Sequence, residues 1–417
     1  MTNVFQRLIG GLGLLVALSG LQAGTAPAKA DPKLKVVYGF RPGHDGDPYK
    51  LLFGNDGNIY GLAVGGPITD DCNDHHCGEI FRMTPDGVKT ILYKFHGGRS
   101  DGWNPMNITR TDDGTIYGTT AAGGLTDNGA VFKLPPGGIE KLLYSFDPSI
   151  GVIPNGRLLV DDAGDLIGTA RQGGICRCYT GPGTIYKITP SGQASILYAF
   201  TRGSDGCYPF PGLTLGPDGQ MYGATDGCGD SNSGTIFKIN SAGAFTLLHT
   251  FNGTTEGGTP SAPVTFDAAG NLYGGTNFGG NDQCGGPGCG VVYKLAPNGA
   301  YTVVYTFKGP ADGQDVADSV YVDHAGNIFG TTAWGGAINQ CALGTGCGTV
   351  FEITPDGRKT ILHEFLGTAF HDGAFSYQGP IVDLAHDPKT LYGSTATGLK
   401  CGVGLDDGCG MIYRIKR

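Results

Sequence analysis

One short step, an aromatic or aliphatic residue followed by glycine, recurs along almost the whole chain, and nothing else in the sequence restricts the fold so strongly. It reads Ile59-Tyr60-Gly61, Ile116-Tyr117-Gly118, Leu166-Ile167-Gly168, Met221-Tyr222-Gly223, Leu272-Tyr273-Gly274, Ile328-Phe329-Gly330 and Leu391-Tyr392-Gly393. The seven glycines lie 50 to 63 residues apart, a period that signals repetition of one supersecondary unit. A turn such as Asn55-Asp56-Gly57 or Asp112-Asp113-Gly114 precedes the step and reads as a hairpin connection.

The rest of each unit follows the same script. A second strand begins with glycine, as in Gly183-Thr184-Ile185-Tyr186, and runs into a Pro/Gly turn such as Thr354-Pro355-Asp356-Gly357. A third strand ends in phenylalanine, at Phe95, Phe146, Phe200, Phe251, Phe307 and Phe365. A variable segment, for example Arg157 to Val160, leads into the next step. We name the strands of a unit A (variable), B (aromatic-Gly), C and D. Adjacent apolar pairs such as Ile80-Phe81 place apolar groups on both faces of the sheet, so each sheet is covered on both sides. Four-stranded sheets of this kind stacked around an axis predict an all-β, seven-bladed β-propeller spanning residues 31–417. The phase predicts closure as well. Leu34 to Phe40 is an orphan D strand and Met411 to Ile415 an unpartnered C strand, so the first completes the last blade and removes two open edges.

Composition places the chain. At 417 residues it exceeds what one core supports, with 76 Gly and only 16% charged residues. Residues 1–30 carry Arg7, an apolar run from Leu8 to Leu21, and Ala28-Lys29-Ala30, the order of a secretory signal peptide, with cleavage expected after Ala30. The run is too short and glycine-broken to remain as a membrane span, and the C-terminus carries no hydrophobic tail. A secreted or periplasmic protein follows, with cell-surface association as a further option. The formal charge of −9 becomes −11 once Arg7 and Lys29 are lost, which argues against nucleic acid as a partner. A monomer is expected.

These units resemble the Gloeo-Verruco, or GloVer, tandem repeat of exported bacterial proteins described as having a choice of anchor; the resemblance covers about residues 34 to 417. It implies an extracellular or cell-surface location and supplies no catalytic residues. No C-terminal sorting signal like that of the anchored members is recognisable, so surface attachment is not expected from the resemblance alone.

Antiparallel strands put the tight A-B and C-D turns on one face and the long B-C and D-A loops on the other, where function is expected. All 12 Cys fall in those loops, as Cys72/Cys77, Cys176/Cys178, Cys207/Cys228, Cys284/Cys289, Cys341/Cys347 and Cys401/Cys409. An even count in an exported chain favours disulfides over zinc, because each pair occupies its own blade. A bridge between Cys176 and Cys178 would be strained, so these two also have Cys207 or Cys228, or a labile redox bond, as alternatives. Asp70-Asp71-Cys72-Asn73-Asp74-His75-His76-Cys77 holds potential metal ligands but reads better as a solvated loop tip, and neither metal nor cofactor is expected.

Asp45, Asp101, Asp205, Asp312 and Asp372 each precede a glycine in a D-A loop. As a ring at the channel mouth they would bind calcium or a polar ligand; as turn residues they would cap their own backbone, the reading preferred here. Trp103 and Trp334, with Tyr208, Phe210, Phe278 and Tyr377, supply rings for a sugar or peptide, against the competing reading that they pack beneath their loops. Gly-x-Ser-x-Gly, His-Glu-x-x-His and Gly-Lys-Ser/Thr motifs are absent, and two Trp are too few for the repeated tryptophan docking of quinoprotein dehydrogenases. His44, His96, His324 and His371 are unranked candidates. The expectation is a non-catalytic binding or scaffold protein for a polysaccharide, peptide or surface partner, with an exported lyase or hydrolase at the channel mouth as the alternative.

Overall fold

Seven antiparallel sheets appear in the computed structural model, which describes residues 34–41, 45–64, 77–175, 180–260, 262–284, 288–336, 341, 346–367, 370, 372–400 and 408–417. Blade 1, for example, comprises Asp47–Phe53, Ile59–Val64, Glu79–Met83 and Lys89–Lys94 as strands A to D. In blades 3 and 6 strand A is split, as Val152–Pro154 and Leu159–Val160 and as Gln314–Val316 and Tyr321–Val322. Blade 7 takes strand A from Ile381–Asp383, B from Asp387–Lys400, C from Gly408–Lys416 and D from Leu34–Gly39. The predicted closure is therefore present, with Leu34 opposite Ile415 and Gly39 opposite Met411.

The A-B turns form for a local reason. Asp161, Asp267 and Asp323 each accept two backbone N–H bonds from the turn they open, at 2.9 to 3.0 Å, which replaces ladder bonds lost at the bend.

Between blades the packing repeats as well. The D-strand phenylalanine of each blade meets the C-strand ring of the next edge to face: Phe40 on Phe81, Phe95 on Phe132, Phe146 on Tyr186, Phe200 on Phe237, Phe251 on Tyr293, Phe307 on Phe351 and Phe365 on Tyr413. Centroid separations of 4.8 to 5.6 Å are the T-shaped geometry that the aromatic quadrupole favours. The core is accordingly a set of inter-blade clusters; one joins Ile236 and Phe251 of blade 4 to Leu272, Val291 and Tyr293 of blade 5.

Candidate functional site at the channel mouth

The seven A strands surround a central channel of about 650 Å³, within the size range of ligand sites. Register with the B-strand glycine identifies equivalent positions: Leu51 faces Gly61, Ile108 faces Gly118 and Leu213 faces Gly223. These apolar residues are buried. The residue before each, one step nearer the loop face, forms a ring around the channel: Lys50, Asn107, Arg157, Gly212, Pro263, Ser319 and Gly379. Blades 1 to 3 make a polar half-ring with long side chains. Blades 4 to 7 contribute small or short ones, leaving room opposite.

The two cations of the ring stand in different circumstances. Lys50 reaches past blade 7, where Gly379 offers no side chain, and pairs with Asp318 at 2.6 Å. Enclosure by itself would lower its pKa; Asp318 outweighs that and holds the ammonium above its ordinary value. Arg157 points into the open channel, and no hydrogen bond or ion pair to its guanidinium is present among the described residues. The surrounding wall desolvates it and pushes its pKa down, with no nearby acid in compensation. Two residues earlier, Asn155 is buried with both amide atoms unpartnered, and beside Gly156 the buried Thr169 hydroxyl is unpartnered too.

Above this ring six D-A loops are pinned to the preceding blade in one way. Asn104, Ile153, Tyr208, Thr259, Asp315 and Phe375 have φ between 54° and 63°, and each donates its N–H to the carbonyl just before the glycine that opens the preceding C strand. A non-glycine residue in this region carries strain of roughly 1 to 3 kcal/mol. Three disulfides fasten the same face, Cys207–Cys228, Cys284–Cys289 and Cys341–Cys347. Cys77 is also disulfide-bonded. Cys72, Cys176, Cys178 and Cys401, the side chain of Cys409, and the Asp70–His76 segment lie outside the described residues, as do His44 and His371.

Two acids in these loops depart from ordinary carboxylates. Asp315 is raised to about 6 by burial, and no hydrogen bond to its carboxylate is present among the described residues. Its charge reaches the half-exposed Tyr377, which also lies close to Tyr49. Asp226 is likewise raised to about 6 by burial, against the opposing pull of Arg171 at 3.3 Å. Arg171 in turn lies 5.1 Å from the Phe210 ring centroid.

The aspartates singled out by sequence are placed elsewhere. Asp45, Asp101, Asp205 and Asp312 accept the hydroxyl of Tyr38, Tyr93, Tyr198 and Tyr305 on the outermost strand, together with backbone N–H groups of their own loops. In blade 6 His363 takes the tyrosine's role toward Asp372. Their carboxylates thus fasten the corners beneath the rim instead of facing the axis. Trp103 packs against the cluster between blades 1 and 2 and donates its indole N–H to Asp127, and Trp334 lies 4.7 Å from Phe375. Lys50, Arg157, Asp226 and Asp315 escaped the sequence reading; their one signal was position within the repeat, just ahead of each A-strand apolar residue or beside a loop cysteine.

Among the described residues no three His, Cys, Asp or Glu side chains gather as metal ligands, and no helix is long and apolar enough to cross a membrane.

Seven four-stranded blades around a channel with a preformed polar mouth define a seven-bladed β-propeller. Within that class the chain belongs to the Gloeobacter/Verrucomicrobia repeat family, matched over residues 47–286 and 255–417. No curated protein matches its sequence. Among solved structures it is similar to the Niastella koreensis GH74 enzyme, at 15% identity and TM-score 0.56, covering 87% of this chain and 53% of that one. It is also similar to the PQQ-bound aldose sugar dehydrogenase of Streptomyces coelicolor, at 13% identity and TM-score 0.46, covering 94% and 99%. A luciferin-regenerating enzyme aligns at 14% identity and TM-score 0.43, covering 92% and 95%. At these identities the likeness is one of fold.

Proposed function

We propose that this is an exported binding propeller that takes a saccharide at the loop-face mouth of its channel. The observation that carries the reading is Asp315: a desolvated carboxyl raised to about 6, placed where its charge is felt by the half-exposed Tyr377. A perturbed acid in a cleft marks a functional site, and an exposed ring beside polar groups suits the alternating apolar and hydroxylated faces of a sugar. The disulfides and pinned loops hold such a mouth rigid, so little ordering entropy opposes binding. The export signal, the even cysteine count and the repeat family support a location outside the cytoplasm.

The test is a glycan array on the oxidised mature chain, followed by calorimetry on the hits. Asp315→Asn and Tyr377→Ala are each expected to weaken binding by about tenfold, the loss of one hydrogen bond to a charged group or one stacking surface. Glycan binding that neither change alters places the site elsewhere. Catalysis is the second reading, favoured by the same acid, since a carboxyl near 6 serves as a general base close to neutral pH. Turnover of an array hit that Asp315→Asn abolishes would establish it.

A further inference from the structure

We infer that the saccharide is acidic, and that its carboxylate is received by Arg157 inside the channel. The inference rests on the channel-mouth reading above and adds the chemical class of the ligand.

The charge pattern of the ring carries the argument. Of its two cations, Lys50 is already neutralised by Asp318 at 2.6 Å, whereas the Arg157 guanidinium has neither ion pair nor hydrogen bond among the described residues. A guanidinium presents a planar fork of donors matched to the two oxygens of a carboxylate. One such monoanion balances the one cation of the ring that Asp318 does not pair. A phosphate dianion would need a second free cation in the ring, and Lys50 does not supply it; Arg110, the other cation lining the channel, sits at the far end of its A strand over the Tyr60 ring, 4.7 Å from its centroid.

Shape supports the same seat. Gly212 and Pro263 follow Arg157 around the ring, and the blade 3 and blade 4 backbones touch there, a Cβ on Gly156 falling 2.5 Å from the Gly212 Cα. The space beside the guanidinium is therefore lined by backbone and small groups. The spare capacity of Asn155 and Thr169 adjoins the same segment. A chain with a formal charge of −9 repels polyanions in general, so an isolated free cation within it selects a short acidic group over a phosphate polymer.

Calorimetry on the oxidised mature protein with neutral oligosaccharides ending in a single galacturonate or glucuronate, their methyl esters and neutral counterparts of equal length tests this. The wild type is expected to bind the acids at least about tenfold more tightly than the esters, the worth of a charge-assisted hydrogen-bond pair. Arg157→Gln should erase that preference, bringing acid and ester to equal affinity, and Arg157→Lys should keep part of it. Equal affinity for acids and esters in the wild type, or a preference that survives Arg157→Gln, overturns the inference. In that event ester binding that Tyr377→Ala weakens leaves the channel mouth standing as a saccharide site; a wild type that binds neither series overturns both. Stronger competition by inorganic phosphate than by acetate overturns the choice of carboxylate.

Discussion

Gly330 lies beneath the ring of Phe351 on the neighbouring strand, so closely that a β-carbon would overlap the tip of that ring. The same is true of Gly61 under Phe81, Gly118 under Phe132 and Gly393 under Tyr413. These B-strand glycines do not adopt the left-handed backbone; what they supply is the absence of a side chain where a C-strand ring must lie flat before receiving the phenylalanine of the preceding blade. Gly330→Ala is therefore expected to destabilise by about 1 to 3 kcal/mol through overpacking. Urea denaturation checks it, and a midpoint equal to wild type would show that the ring moves aside at no cost. This contact also explains why the step and the phenylalanine recur together in the sequence: each is half of one joint.

At the scale of strands, five seams show the residue six positions before the D-strand phenylalanine meeting the ring or acid of the blade before. Lys89 joins Asp45 at 3.0 Å and Glu79 at 2.5 Å, Lys359 joins Asp312 at 2.9 Å, Phe245 stacks on Tyr198 and Tyr301 on His249. Glu140 is the exception, an acid facing Asp101 and Tyr93, and burial followed by the charge of Asp101 raises it to about 7. Because the folded pKa is the higher one, the native state keeps a proton that the unfolded chain releases. Stability is thus unaffected below about 4.5, falls as pH rises from there to about 7, and is flat beyond. Glu140→Gln should remove that decline, gaining about 1 to 2 kcal/mol over wild type at pH 8 relative to pH 4 once solvent screening is allowed for. Parallel pH–stability curves for the two proteins would contradict it.

The molecule as a whole depends on the clasp in blade 7. Among the described residues Leu34–Gly39 is the only strand supplied from the far end of the chain, and without it Gly408–Lys416 would expose an open edge. Deleting residues 34–39 is expected to cost more than about 4 kcal/mol and to produce concentration-dependent aggregation. A deletion variant that stays monomeric and melts with the wild type would mean that the remaining inter-blade joints hold the ring unaided.

Strand order, blade number and closure were determined by the sequence, because each rests on local periodicity: a glycine step, a turn and a terminal phenylalanine repeated in fixed phase. The pairings Cys207–Cys228, Cys284–Cys289 and Cys341–Cys347 were also legible, since both members of each fall in one blade. Only the tertiary structure decided which charges remain available. Asp205, read in the sequence as a turn cap or a ligand of the mouth, caps its own loop and is taken up by Tyr198, seven residues earlier, whereas Arg157 looks ordinary and has no ion pair among the described residues, Asp318 being held by Lys50, 268 residues away in the chain. A side chain's chemistry depends on which partners reach it, and in a closed ring those partners come from blades that sequence distance does not relate.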